Sequence, residues 1–187
     1  AVRATVDTSE VGTYTPEVKS WLAVNPDSEL IPVARANGIT HFLPVPQGGT
    51  ITGQSGLMAT AGWGYENMLT HSPVALHLFW PSMNINPTAD DAKKQAKERD
   101  KRLKKIDDFF EEARAYAKSQ SAPDHKGVPS WDAMLPWVRG EKPLIIHANS
   151  VMQIESAVNW AIKRDWKPVI AGARDAWQIA KLLTKHN

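Results

Sequence analysis

The sequence predicts an α/β protein in which strands alternate with helices. Two strand-to-helix units near the C-terminus carry this prediction: the apolar run 143–147 leads into an amphipathic helix, and the run 167–172 leads into a second. Ala176, Ala180 and Leu183 mark the predicted buried side of the second helix. Short strand–helix–strand connections imply parallel strands joined by right-handed crossovers. Runs at 39–45 and 74–80 add earlier strands. We therefore expect about four or five strands, which are too few for a closed eight-stranded barrel.

Composition is typical of a globular domain. Of 187 residues, 42% are hydrophobic and 22% are charged, so we expect a single α/β domain over 1–187. The net charge of +2 gives no broad basic field, which argues against nucleic-acid binding. No apolar run is long enough to span a membrane, and the absence of cysteine excludes thiolate zinc sites. The chain begins at Ala1, which we interpret as a piece of a longer protein.

Glycines punctuate the N-terminal half. After a lead-in segment over 1–24, a short helix is predicted from Asn25 to Gly38, which supplies the C-terminal cap. A glycine-rich loop is predicted over 48–56, followed by a short helix near 65–69. The loop differs from a phosphate-binding P-loop because Gln54 replaces the lysine whose charge reaches the phosphates. We therefore predict a loop that shapes a pocket mouth.

A long charged helix is predicted over 88–119. Its apolar positions recur at steps of three and four, and include Leu103, Ile106, Phe110 and Ala113. Ten basic and eight acidic residues between 90 and 118 nearly cancel. This balance favours a solvated helix packed along one stripe over a helix that binds nucleic acid or a membrane.

Histidine placement gives the main chemical signal. Neither an HxH nor an HExxH pattern occurs, so no local metal signature is present. His41 and His77 lie inside predicted strands and are interpreted as structural. His147 differs because it ends a predicted parallel strand, where α/β folds collect ligands and catalytic groups. The equivalent place in the next strand is Ala171, which offers no ligand.

Four segments together resemble a known family. They are residues 23–46 with the following Gly53-Gln54-Ser55-Gly56, residues 108–117, residues 144–149 and residues 169–180. In combination they resemble amidohydrolases related to imidazolonepropionase. The segment 88–119 looks like an insertion that such proteins carry.

The resemblance implies an internal fragment of a TIM-like (β/α)8 barrel whose parent hydrolyses C–N bonds of amides or cyclic amides. Such parents use a divalent metal, Zn or Fe, and a small-molecule substrate. His147 matches the strand-five metal ligand, whereas 171–173 matches the strand-six ligand position without a histidine. The other ligands would fall before Ala1 or beyond Asn187. Gly53, Gln54 and Asn149 are candidate substrate or loop residues, and no catalytic residue is assigned.

Two functions therefore remain open. A catalytic metal needs about three protein ligands, so we expect this chain alone to bind none and to be inactive. The parent is either a metal-dependent hydrolase or a degenerate barrel that binds a ligand or partner without hydrolysis. Exposed strand edges and eight tryptophans predict that the isolated chain associates with itself or closes its few strands as an open three-layer sheet. The resemblance also implies the bacterial cell envelope, with the cytoplasm as the alternative.

Overall fold

Strands and helices alternate along the chain in the computed structural model, which describes residues 12–87, 91–121 and 126–185. The five strands found in these ranges are β1 (His41–Phe42), β2 (Ile51–Ala59), β3 (Leu69–Phe79), β4 (Leu144–Ala148) and β5 (Val169–Gly172). The helices are α1 (Leu30–Ala36), α2 (Tyr65–Met68), α3 (Ala92–Ser119), α4 (Pro129–Val138), α5 (Val151–Ile162) and α6 (Ala180–Lys185). Two short 3₁₀ helices cover Ser20–Ala23 and Ala176–Ile179. The α/β class predicted from the sequence is confirmed.

The sheet is mixed, with strand order β1-β2-β3-β4-β5. β4 and β5 pair in parallel, as predicted, with His147 opposite Ala171. β1 and β2 pair antiparallel, with His41 opposite Ala59, so the prediction of parallel strands throughout is wrong. The reason is connection length: the segment between β1 and β2 is shorter than the dozen or so residues that a parallel crossover needs.

The chain divides into two compact units, one up to His77 and one from Leu78 onward, so β3 contributes residues to both. In the first unit, Trp21, Met58 and Met68 form a buried cluster. Residues 14–19 run beside β2, joined to it by bridges that pair Tyr14 with Ile51 and Lys19 with Gln54. Of the lead-in segment predicted over 1–24, residues 1–11 lie outside the described residues.

β2 occupies most of the segment predicted to be a glycine-rich loop, and that prediction is wrong. Every residue from 51 to 56 is buried, so both faces of the strand are covered. Gly53 permits this packing: its φ is +123°, and a Cβ there would lie 2.6 Å from the Val18 carbonyl oxygen. Small polar residues are typical of turns, yet they also fit a strand that another backbone approaches closely.

α1 begins at Leu30, later than predicted, and Gly38 follows it with a φ of +88°, as expected for a C-terminal cap. None of its residues is buried. At the other end of the chain, Ala176, Ala180 and Leu183 were predicted to mark a buried helix side. None of the three is buried, and that prediction is wrong. Apolar spacing identifies a face, but burial requires a neighbouring element to cover it.

The long helix predicted from the charge pattern is α3, and its apolar stripe buries Ile106, Phe110 and Ala113. The predicted start at 88–90 lies outside the described residues. Asp107 joins α3 to the α5 region: its carboxylate accepts from Trp160 Nε1 at 2.6 Å and from Arg164 Nη2 at 2.5 Å. Arg164 also stacks on Trp160, with its guanidinium carbon 4.5 Å from the ring centroid. The ion pair between Asp107 and Arg164, together with the Trp160 ring, thus holds the charged helix α3 against the α5 region.

None of the helices among the described residues combines the length and the apolar character that crossing a membrane would require.

We expect Asp107→Ala to lower the free energy of unfolding by about 1–3 kcal/mol, because it leaves a buried indole N–H and a largely buried guanidinium without their acceptor. Asp108→Ala is the matched control, since the exposed Asp108 pairs with exposed Lys104 on the same helix, and it should change stability by about 0.5 kcal/mol or less. Urea unfolding followed by tryptophan fluorescence measures both. Equal effects of the two substitutions would contradict the assigned role of Asp107.

Candidate functional site

The carboxyl end of β4 presents His147. Along this strand Leu144, Ile146 and Ala148 are buried, whereas Ile145 and His147 are only half-buried. The alternation places the imidazole on the less covered face of the sheet, because successive side chains of a strand point to opposite faces. β4 ends there because the next helix begins almost at once.

α5 begins with a capping box. Ser150 Oγ accepts from the Gln153 backbone N–H at 3.4 Å, and Gln153 Oε1 accepts from the Ser150 backbone N–H at 3.3 Å. This reciprocal pair satisfies backbone N–H groups that the first turn of a helix leaves open. The cap fixes where the helix starts and therefore how far His147 and Asn149 lie from it.

The imidazole of His147 stacks on an aromatic ring from β3. The ring centroids of Phe79 and His147 are 4.1 Å apart and their planes differ by 4°. The Trp80 backbone N–H donates to the His147 carbonyl at 3.1 Å, which aligns the ends of the two strands. Burial lowers the pKa of His147 from its ordinary value of 6.5, so the ring is neutral at neutral pH. A neutral imidazole can accept a proton or bind a metal.

On the other side of β4, β5 offers no ligand beside His147. Its residue in register is Ala171, and the strand then turns through Gly172 and Ala173, whose φ values are +82° and +48°. The Ala173 N–H donates to the Ala148 carbonyl at 2.8 Å. The Asn149 side chain lies so close to Gly172 that a Cβ at residue 172 would collide with it. The small residues at this strand end let the two turns pack tightly.

The four candidate residues from the sequence fall in two places. His147 and Asn149 lie together at the end of β4 in the second unit, and Asn149 is exposed. Gly53 and Gln54 lie in β2 in the first unit. Gln54 is buried, and its side-chain Nε2 donates to the Pro16 carbonyl at 2.9 Å. The backbone carbonyl of Gln54 accepts from the Ser20 hydroxyl at 3.0 Å. The amide donor of Gln54 is therefore engaged by backbone.

Two residues of the site, Phe79 and Gln153, were not among the candidates from the sequence. Phe79 lies within the predicted 74–80 strand, but nothing in the sequence indicates which residue it stacks on. Gln153 could have been found, because Ser150-x-x-Gln153 is a capping-box pattern just before an apolar run. His41 is exposed in β1 and His77 is buried in β3, as their strand positions suggested, whereas His125 and His186 lie outside the described residues.

The residues present do not fit a catalytic metal. Among residues 12–87, 91–121 and 126–185, no group of three His, Cys, Asp or Glu side chains is arranged to hold one. Zinc in catalytic sites usually has three protein ligands. At this strand end the chain provides one imidazole, and the neighbouring strand provides a methyl group opposite it. No step of a reaction is therefore assigned to a metal held by this chain.

Comparison with known proteins supports a resemblance at the level of the fold. No protein-family model matches the sequence, and no curated protein sequence matches it significantly. The fold is similar to the crystal structure of an amidohydrolase from Thermotoga maritima MSB8, with a TM-score of 0.71 and 19% sequence identity. The match covers 96% of this chain and 49% of that chain, so this chain spans about half the length of that protein.

We expect His147 to titrate below 6.5 in the folded chain, because burial disfavours the charged imidazole. The unfolded chain then binds this proton more readily, so stability falls as the pH drops below 6.5 towards the folded-state pKa. NMR titration of the imidazole Cε1–H in folded and urea-unfolded protein measures the difference. His147→Gln should remove this part of the acid sensitivity. A folded-state midpoint at or above 6.5 would show that burial does not control the ring.

Proposed function

We propose that this chain is part of an amidohydrolase-like protein that hydrolyses C–N bonds in small amides or cyclic amides. In this proposal residues 1–187 form one piece of a (β/α)8 barrel. The observation that carries it is the fold similarity over 96% of the chain, together with a histidine at the carboxyl end of β4. Catalytic groups in barrels of this kind come from the carboxyl ends of strands.

His147 is the residue that this chain contributes to the site. Its neutral ring has one unprotonated nitrogen, which can accept a proton or a hydrogen bond from a substrate or a water molecule. Stacking on Phe79 restricts the tilt of the ring, so that nitrogen has a defined direction. The exposed amide of Asn149 lies two residues further on and is suited to hydrogen-bonding a substrate carbonyl or N–H group.

The chain alone is inactive in this proposal. A divalent metal such as Zn or Fe supplies water activation in proteins of the implied class, and one imidazole is too few ligands to retain it. The remaining ligands would come from other parts of the parent barrel. Within this chain Gly53 and Gln54 pack β2. They contact a substrate only if other parts of the parent barrel bring it to them.

A second function is favoured by Ala171. The position beside His147 carries no coordinating atom, which fits a degenerate barrel that binds a small molecule or partner without hydrolysing it. The two functions predict the same fold and differ only in turnover.

We also propose that the isolated chain self-associates. β1 and β5 are the edges of the sheet formed by the described residues, and exposed edges pair readily with other chains. Large apolar side chains are also exposed: Val169 at 52% in β5, and Leu30 at 76% and Val33 at 58% in α1. Sedimentation equilibrium should find a dimer or a larger species. If α1 forms the interface, the double substitution Leu30→Lys and Val33→Glu should weaken the association. A monomer at all concentrations would refute self-association.

The experiment that tests the proposed hydrolase is amide and lactam turnover by the natural protein that contains this chain. His147→Ala should reduce kcat/KM by about 10²-fold or more, because a group acting on the reacting atoms is lost. His41→Ala, at an exposed position of β1, is the matched control and should retain activity. Full activity in His147→Ala would contradict the role of His147, and absent turnover in the unaltered protein would support the degenerate barrel.

A further inference from the structure

The side chain of Gln153 joins the ends of two strands. Its Nε2 donates to the Trp80 carbonyl at 3.2 Å and to the Pro81 carbonyl at 3.3 Å, just past the end of β3. Its Oε1 accepts from the backbone N–H groups of Asn149 and Ser150, both at 3.3 Å, just past the end of β4. One half-buried amide therefore joins two segments that are about 70 residues apart in the sequence.

These contacts flank the stacked rings. Trp80 directly follows Phe79, and Asn149 lies two residues after His147. Between them, the Trp80 N–H donates to the His147 carbonyl at 3.1 Å. A parallel stack with centroids 4.1 Å apart needs close control of how far β3 slides past β4, and the Gln153 amide bonds to both backbones at that point.

We propose that Gln153 is a positioning residue that holds the Phe79 ring against the His147 imidazole. Gln153 has this role whether or not the parent protein hydrolyses an amide. The two ends of its side-chain amide have separate tasks. The oxygen caps α5, and the nitrogen fixes β3.

The capping task alone does not require glutamine. A glutamate at this third helical position supplies the same acceptor, and glutamate is equally typical of the capping box. Only the amide nitrogen can donate to the two carbonyls beyond β3, since a carboxylate is an acceptor at both oxygens. Glutamine and glutamate should therefore cap α5 equally while differing in their hold on β3.

This difference gives a test with matched variants. Gln153→Glu keeps the cap acceptor and loses the donor to β3, whereas Ser150→Ala loses the cap hydroxyl and keeps the Gln153 amide. The measurement is the NMR chemical shift of the His147 imidazole C–H protons at a pH where the ring is neutral. Protons stacked over an aromatic face are displaced upfield, and Phe79→Leu gives the value without the stack.

We expect Gln153→Glu to lose most of the upfield displacement and Ser150→Ala to keep it. Gln153→Met, which loses the donor without adding a charge, should also lose it, and this separates positioning from the charge of glutamate. Thermal unfolding of each variant reports folding independently. If folded Gln153→Glu or Gln153→Met retains the full displacement, Gln153 only caps the helix and the proposal is overturned. The same holds if Ser150→Ala loses the displacement as fully as they do.

Discussion

The close alignment of β3, β4 and β5 at their carboxyl ends is the constraint on which the site depends. One backbone hydrogen bond, from Trp80 to His147, fixes the end of β3 against β4. Parallel register fixes β5, with Ala171 opposite His147. The capping box then starts α5 at Val151, four residues after the histidine. A shift of β4 by one residue would turn His147 to the buried face, because strand side chains alternate. Stacking, burial and the lowered pKa of the imidazole all follow from this alignment.

The chemistry of the site is limited by what surrounds the imidazole. A phenyl ring covers one side and a methyl group stands in register on the next strand. Neither neighbour offers a charge or a lone pair, so burial is the cause that lowers the pKa of His147. Such a ring can bind a ligand or accept a proton. This is why fold similarity to an amidohydrolase and the scarcity of ligands lead to the proposal of a contributing fragment.

The sequence predicted those strands and helices whose local pattern matched one type of secondary structure. β4 and α5 were predicted because a short apolar run and a helical repeat follow each other, separated only by Asn149 and Ser150. β2 was missed because its glycine, serine and threonine residues are typical of turns. Its place between β1 and β3, and the close approach of Val18 to Gly53, are long-range contacts that the local pattern does not show. The antiparallel β1–β2 pair could not be predicted without β2 itself, although the short connection after β1 leaves no room for a parallel crossover. Phe79 and Gln153 act through contacts across about 70 residues, which no local pattern reveals.

The central claim is that this chain places a neutral imidazole at the carboxyl end of β4, and that its described residues form no group of three His, Cys, Asp or Glu side chains that could hold a metal. Calorimetric titration of the purified chain with zinc, beside His147→Ala, tests it most directly. The account predicts no stoichiometric, saturable site in either protein. Tight binding of one zinc ion per chain that disappears in His147→Ala would contradict it.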